Sequence, residues 1–170
     1  GWYNTETDDC LLLDHSQVIS KDSTQILIGD TIYYNRITGI GKVYGHMFLQ
    51  DTVKKVILKG NYGYYNEKTE FALATDSACA IEYSQKDSLY IHADTLKMTT
   101  DSLGREMKAY PNARFYRIDL QGICDTMHYV SKDSTIYLKK DPVIWNEDNQ
   151  VLGDRIDILL NDSTIEKAFV

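Results

Sequence analysis

A short recurring unit constrains the fold of this chain more than any other feature of its sequence. Residues 89–98 show it most clearly, because the apolar side chains occupy odd positions before Asp94 and even positions after it. Alternation with a period of two predicts a β-strand. In this unit a small residue, Ala93, is followed by Asp94, and we call these two the small-Asp pair. One extra residue at this pair, as in a β-bulge, would keep all of these apolar side chains on one face. The unit therefore predicts a strand, a bulge and a continuing strand.

Similar units follow one another at nearly constant spacing. Their small residues are separated by 31, 33, 31 and 29 positions and are Gly29, Gly60, Ala93, Cys124 and Gly153. A further copy at 133–145 carries Lys140 in this place, and a second motif of two aromatic residues followed by Asn places Asn4, Asn35 and Asn66 31 residues apart. A fixed period of this length indicates stacked supersecondary units. We predict repeats of about 31 residues.

The composition favours strands throughout the chain. The 170 residues include 13 Tyr but only two Pro, and no window shows an amphipathic helical stripe or an apolar run long enough to span a membrane. Short strands and short turns leave no room for crossover helices, so we predict one all-β domain, residues 1–170, with mainly antiparallel pairing. The net charge of −7 argues against a nucleic-acid partner, because phosphate binding requires a basic surface.

The cysteines and the chain ends give two further expectations. An odd count of three leaves no closed set of intramolecular disulfides, and the spacing of Cys10, Cys79 and Cys124 fits no zinc motif. No signal peptide is present, the first residue is not Met, and residues 162–165 open a unit that stops at residue 170. We therefore expect the chain to be a segment of a longer repeat protein.

Alignment of the units predicts one shared apolar face. The opposite positions are mixed and mostly polar, so this face must be buried against another sheet or against a ligand. Its predicted members are Leu27, Ile32, Tyr34, Leu58, Tyr65, Leu89, Ile91, Leu96, Met98, Leu120, Met127, Tyr129, Ile136, Leu138, Val143, Trp145, Val151, Ile156 and Ile158.

The unit at 91–98, Ile-His-Ala-Asp-Thr-Leu-Lys-Met, resembles the OstA-like, or LptA-like, periplasmic lipopolysaccharide-transport family. In that family such units alternate with strands led by a Gly-x-Val element, which residues 41–43 match well and residues 111–113 and 141–143 match loosely. The run at 141–145 and the Tyr-Tyr-Asn turns are more similar to the longer OstA-like proteins of Bacteroidetes. The likeness extends over nearly the whole chain through its repeats.

The resemblance implies a V-shaped, taco-like antiparallel β-jellyroll in the periplasm, without enzymatic activity or a cofactor. Its apolar groove, lined by the shared face, would carry the acyl chains of lipopolysaccharide toward the outer membrane. Its edge strands would pair end to end with other bridge proteins or with copies of the same chain, giving a homo-oligomer. Ile91, Met98, Tyr129 and Trp145 are expected to face the same groove.

Two other interpretations remain open at this point. The apolar face can be the sealed core of a purely structural repeat module. The in-phase acids Asp30, Asp94, Asp125 and Asp154 would form a carboxylate column on a parallel β-solenoid that binds or cleaves polysaccharide, although side-chain capping of each kink explains them more simply.

Other polar groups give weaker signals. His15 and His46 are 31 residues apart and would need a third ligand to hold a metal, so we expect them to be exposed. The pairs at 54–55 and 139–140 are lysines that suit either a lipid phosphate or a solvated strand. No nucleophile motif is present, which argues against an enzyme.

Overall fold

The computed structural model of this chain describes residues 1–161 and 165–170, so most of the unit expected to open at 162 lies outside the described residues. Within these ranges the chain forms eighteen strands and no helix. No helix long and apolar enough to cross a membrane occurs in this part of the chain. The strands are β1 (Trp2–Asn4), β2 (Asp9–Leu12), β3 (Ser16–Ile19), β4 (Gln25–Gly29), β5 (Thr31–Asn35), β6 (Ile40–Asp51), β7 (Val56–Asn66), β8 (Phe71–Glu82), β9 (Leu89–Asp101), β10 (Gly104–Tyr110), β11 (Ala113–Arg117), β12 (Leu120–Cys124), β13 (Thr126–Val130), β14 (Thr135–Lys139), β15 (Val143–Asn146), β16 (Asn149–Leu152), β17 (Arg155–Leu160) and β18 (Ile165–Phe169).

The recurring Asn residues end strands by bonding to the turn that follows. The side-chain oxygen of Asn35 accepts hydrogen bonds from the backbone N–H groups of Ile37 and Thr38, at 3.0 and 2.9 Å. Asn4 and Asn66 accept the same pair of bonds in their own turns. A short polar side chain that bonds two residues ahead offers the backbone an alternative to the strand ladder. These turns therefore set where the hairpins reverse.

All strand pairs in the described ranges are antiparallel, and together they form two facing arms. The first arm comprises β3, β4, the second half of β6, the first half of β7, the second half of β8, the first half of β9, and β11, β12, β15 and β16. The second arm comprises β1, β2, β5, the remaining halves of β6 to β9, and β10, β13, β14, β17 and β18. The long strands β6 to β9 thus belong to both arms.

A line of β-bulges separates the two arms. Between β8 and β9 the ladder resumes after two residues on one strand, Asp76 and Ser77, and a single residue on the other, Asp94. Both bulged residues have positive φ angles, 59° and 62°. Two residues opposite one is the signature of a bulge, which bends the sheet locally. The slip in alternation predicted at Asp94 is confirmed, because Ile91 and Leu96 on its two sides are 0% and 1% exposed.

The inner faces of the two arms pack together as one core. A single cluster of buried apolar side chains includes Leu58 and Ile144 of the first arm and Leu138 and Ile158 of the second. The all-β, antiparallel fold predicted from the sequence is confirmed. The β-solenoid alternative is wrong for the described part of the chain, because a solenoid requires parallel coils.

Candidate functional site

The space between the arms contains the candidate site. On the side away from the bulges, which we call the mouth, the turns at the ends of the two arms face each other. Here a cavity of about 260 Å³ lies between the arms. Its lining residues are Lys54, Val56, Ala80, Glu82, Ser84, Gln85, Asp87, Leu89, Ile91, Met98, Arg105, Met107, Arg117, Tyr129, Ser131, Ser134, Leu160 and Asn161.

Apolar side chains from both arms form the floor of this cavity. Strand β9 supplies Leu89 and Ile91 before its bulge and Met98 after it, so one strand lines the cavity from two sides. Met107 of β10 and Tyr129 of β13 complete the floor and are paired across the second arm. Because the bulge preserves the inward direction of alternate residues, a local sequence pattern places these groups together.

The rim of the cavity is polar and carries both signs of charge. Lys54, Glu82 and Asp87 belong to the first arm, and Arg105 belongs to the second. Arg117 is only 11% exposed and donates two hydrogen bonds to Asp119, at 2.5 and 2.8 Å. These bonds lower the pKa of the Asp119 carboxyl. The rim therefore offers cations to an anionic group while the floor offers only apolar surface and one phenol.

Tyr129 is the polar group on the floor. Burial raises the pKa of its hydroxyl, and the nearby Glu82 carboxylate adds to this effect while Arg105 opposes it. The phenol is therefore un-ionised at neutral pH and can donate or accept a hydrogen bond. It contributes an aromatic ring to an otherwise aliphatic surface.

Two smaller cavities continue the space along the width of the sheet. One of about 40 Å³ shares Lys54, Val56 and Met98 with the main cavity. The next, of about 30 Å³, shares Tyr65 and a few neighbouring residues with the second. The three cavities therefore form a row between the arms, and packed side chains fill the space between and around them.

Most of the predicted apolar face lies on this inner surface. Ten of its members are core residues, namely Ile32, Leu58, Ile91, Leu96, Leu120, Met127, Ile136, Leu138, Ile156 and Ile158. Six more are partly buried against that core, namely Leu27, Tyr65, Leu89, Met98, Tyr129 and Val151. Tyr34 has the alternation of Ile32 but lies at the margin, where its hydroxyl donates to Glu67 at 3.1 Å. The role of these residues in binding lipid stays a prediction.

The placement of Val143 and Trp145 on that face is wrong. Ile144 between them is 4% exposed and belongs to the core, so its two neighbours point outward. The reason is the preceding bulge, where Lys140 and Asp141 both have positive φ angles. After two such residues in succession, the side chains of the next strand keep the inward and outward alternation of the strand before it. After the single aspartate of the other units, the alternation is shifted by one residue. Trp145 therefore does not join Ile91, Met98 and Tyr129 at the cavity.

Several lining residues have no counterpart in the predicted set. Met107 and Ala80 lie on strands without the small-Asp pair. The period-two alternation of these strands nevertheless predicts which of their side chains point inward. Lys54 and Arg105 on the rim carry no such signal, because their position depends on how the arms meet.

The acids at the bulges tie neighbouring strands together. The Nδ1 atoms of His15 and His46 lie 3.1 and 2.6 Å from the two carboxylate oxygens of Asp30. Asn112 donates to Asp94 at 3.3 Å, and the Lys140 ammonium donates to Asp125 at 2.9 Å. In residues 1–161 and 165–170, no three His, Cys, Asp or Glu side chains converge as metal ligands would. A shallow depression of about 320 Å³ lies on the outside beside the Lys140–Asp125 pair.

The cysteines are free thiols. Cys124 is buried on the inner face, and burial raises its pKa to about 11. Cys79 is half-buried on the outer side of β8, and burial also raises its pKa. A thiol with a raised pKa is a poor nucleophile at neutral pH.

Comparisons with known proteins give a likeness in structure and none in sequence. No family model matches the chain, and no curated protein matches it in sequence. Among solved structures, the chain is similar to LptH from Pseudomonas aeruginosa, the LptA-homologous periplasmic component of the lipopolysaccharide transport device. The TM-score is 0.47 and the identity 12%, over 73% of this chain and 76% of LptH.

Proposed function

We propose that this protein is a non-enzymatic lipid-binding protein that takes acyl chains of lipopolysaccharide between its arms. The observation that carries the proposal is the row of cavities, which opens at the mouth beside an apolar floor and a charged rim. Each buried methylene of a chain is worth about 0.8 kcal/mol. The Arg105 cation on the rim suits a phosphorylated headgroup.

The cavity accommodates a chain only if the arms move apart. Ligand pockets for small molecules usually measure roughly 300–1,000 Å³, and the main cavity is smaller, at about 260 Å³. The lining residues Leu89, Met98 and Tyr129 are only partly buried, so they can make room with little loss of core packing. Binding and separation of the arms are therefore parts of one step.

The ends of the arms suit a bridge between membranes. Within the described residues, β1 and β18 each pair with one strand only in the second arm, as do β3 and β16 in the first. Unpaired edges accept a further strand through backbone hydrogen bonds. We propose that other bridge proteins or copies of this chain pair there, in the periplasm, as the sequence resemblance implies.

Photo-crosslinking tests the lipid-binding proposal directly. A photoreactive amino acid replaces Leu89, Met98 or Tyr129, and the purified protein is irradiated with purified lipopolysaccharide. The matched controls are Tyr90 and Lys97, which neighbour the first two positions but point outward. We expect lipid adducts from the inner positions only. Adducts from Tyr90 or Lys97 alone would contradict binding between the arms.

A purely structural module is the second candidate, and the close packing of the core favours it. Ile91, Leu138, Ile156 and Ile158 are at most 1% exposed, so much of the inner surface is already covered. In that case no inner position captures lipid, and apolar probes leave the stability of the protein unchanged.

A further inference from the structure

The outer face of the first arm is mainly apolar, and Lys59 and Arg114 are the lysine and arginine side chains in its two cross-strand rows. Ten strand segments contribute two continuous cross-strand rows of outward-facing side chains. The row next to the bulges is Gln17, Ile28, Phe48, Lys59, Cys79, His92, Arg114, Ile123, Val143 and Leu152. The row next to the mouth is Ile19, Ile26, Gln50, Ile57, Ile81, Tyr90, Tyr116, Gln121, Trp145 and Gln150.

The outer face of the second arm is polar, as expected for a face in contact with water. We therefore compare the outer face of the first arm with it. Over nine strand segments the central row of the second arm contains three lysines, a histidine and an aspartate, and reads Tyr33, Lys42, Tyr64, Leu73, Lys97, Lys108, His128, Tyr137 and Asp157. An antiparallel sheet that faces water on one side normally shows such a polar face. Strands that are apolar on both faces belong to sheets covered on both sides. The first arm therefore has the sequence of a sheet with a second partner layer.

Several side chains of these rows are well exposed. Tyr116 is 47% exposed, Ile123 43% and Leu152 60%. Ten strands spaced about 4.8 Å apart, with segments about 16 Å long, cover roughly 700 Å². A stable interface buries about 600–1,000 Å² per partner, and the area of this face lies within that range.

The charges identify the occupant. Neither row, all of it within the described ranges, contains Asp or Glu, and the cations Lys59 and Arg114 are confined to the row next to the bulges. The row next to the mouth is uncharged and contains Tyr90 and Tyr116, whose rings lie 6.4 Å apart. Cations bind well over aromatic faces and poorly opposite one another. A second copy turned end for end satisfies both conditions.

An anionic membrane fits less well, because acids border the face on both sides. Asp94, Asp125 and Asp141 lie along the bulges, and Asp87 and Glu147 lie at the turns of the mouth.

We propose that two copies of this chain pack back to back through the outer faces of their first arms. The two-fold axis runs along the width of the sheet, so that the row next to the bulges of one copy covers the row next to the mouth of the other. Arg114 of one copy then lies over the Tyr90 and Tyr116 rings of its partner. Sheets packed in this way lie about 10 Å apart. The inference is independent of lipid binding and of pairing at the strand edges.

A matched pair of tyrosines tests the proposal. Tyr116 on the first arm and Tyr44 on the second are 47% and 49% exposed, and the ring of each contacts one neighbouring tyrosine in a tilted arrangement. Sedimentation equilibrium is measured for the wild type, Tyr116→Lys and Tyr44→Lys. We expect a dimer whose dissociation constant rises about tenfold or more in Tyr116→Lys, the effect of losing an interface hot spot. Tyr44→Lys should leave it unchanged within about twofold.

A second variant and two counter-outcomes complete the test. Ile123→Lys should weaken the dimer in the same way, and circular dichroism checks that each variant is folded. A wild type that stays monomeric at all concentrations, or a dimer equally sensitive to Tyr44→Lys, overturns the proposal. So does binding of monomers to anionic vesicles that Tyr116→Lys strengthens and Tyr44→Lys does not. Photo-crosslinking of lipid from Met98 is read separately, so failure of either proposal leaves the other standing.

Discussion

Lys54 of the first arm and Glu70 of the second form an ion pair across the mouth, with 3.9 Å between Nζ and Oε1. Both residues lie in turns that join long strands, Lys54 between β6 and β7 and Glu70 between β7 and β8. The pair spans the entrance beside the row of cavities, and Lys54 itself lines the two larger ones. It is therefore a contact that must break when the arms separate.

Removal of this ion pair should speed lipid entry at little cost in stability. We expect Lys54→Met to lower the free energy of unfolding by at most about 1 kcal/mol, because the two side chains are 32% and 48% exposed and water screens the pair. Uptake of a lipid with a fluorescent acyl chain should become up to about fivefold faster, which corresponds to the same energy. Lys55→Met, in the adjacent position of the same turn, is the control and should change neither quantity. Slower uptake in Lys54→Met would show that the lysine recruits the lipid and does not hold the mouth closed.

The inward direction of Ile144 can be tested against its neighbour Val143. We expect Ile144→Ala to lower the free energy of unfolding by about 2–5 kcal/mol, because it leaves a cavity in the core. Val143→Ala should cost less than about 1 kcal/mol, the usual range for a side chain outside the core. Urea unfolding followed by circular dichroism measures both. Equal costs would contradict the assignment of the two residues to opposite faces.

Acidification should weaken the cluster at Asp30. Hydrogen bonds from His46 and then His15 lower the pKa of the Asp30 carboxyl in the folded state. A group with a lowered folded-state pKa stabilises the protein above its unfolded pKa, and that contribution disappears as the pH falls through the folded value. The stability difference between wild type and Asp30→Asn should therefore be present at pH 5 and shrink below about pH 4.

The reference for this measurement is the double variant His15→Ala, His46→Ala. In that background Asp30→Asn should have little effect at any pH, because the hydrogen bonds that lower the pKa are gone. Urea unfolding at a series of pH values gives all four stabilities. A difference that persists unchanged to pH 2 would contradict the role of the two histidines.

The thiol of Cys124 should resist alkylation in the folded protein. With a pKa of about 11, only about one thiol in a thousand is ionised at pH 8, and burial limits access further. Iodoacetamide labelling followed by peptide mass spectrometry should show at least hundredfold slower modification in the native state than in urea. Equal rates in both states would place Cys124 at the surface.

The fold was predictable because the sequence feature that determines it, a shift in the alternation of apolar residues, is local. The displaced alternation around Asp94 can be read from ten consecutive residues, and it places Ile91 and Leu96 on one face wherever the partner strand lies. The prediction for the unit that contains Lys140 and Asp141 was wrong for an equally local reason. These two residues have positive φ angles, which the sequence does not reveal. The inward and outward positions of the strand that follows are therefore the reverse of those predicted.

The candidate site was only partly predictable because its rim is a product of long-range pairing. Lys54 and Glu70 meet only after two hairpins have folded and the arms have closed. The same holds for the outer rows, where Tyr90 and Tyr116 become neighbours only through the register of β9 against β11. The sequence of one strand shows which of its faces is apolar. It does not show which residues of ten different strands lie side by side in the sheet.

The long strands β6 to β9 run through both arms, so separation of the arms changes the backbone mainly at the bulges and breaks no strand ladder. The free energy of opening is then chiefly that of wetting the inner side chains, and an entering acyl chain removes that same penalty by covering them. We therefore expect the arms to close when no ligand is bound and to remain separated when an acyl chain lies between them. Release would then require a competing apolar surface.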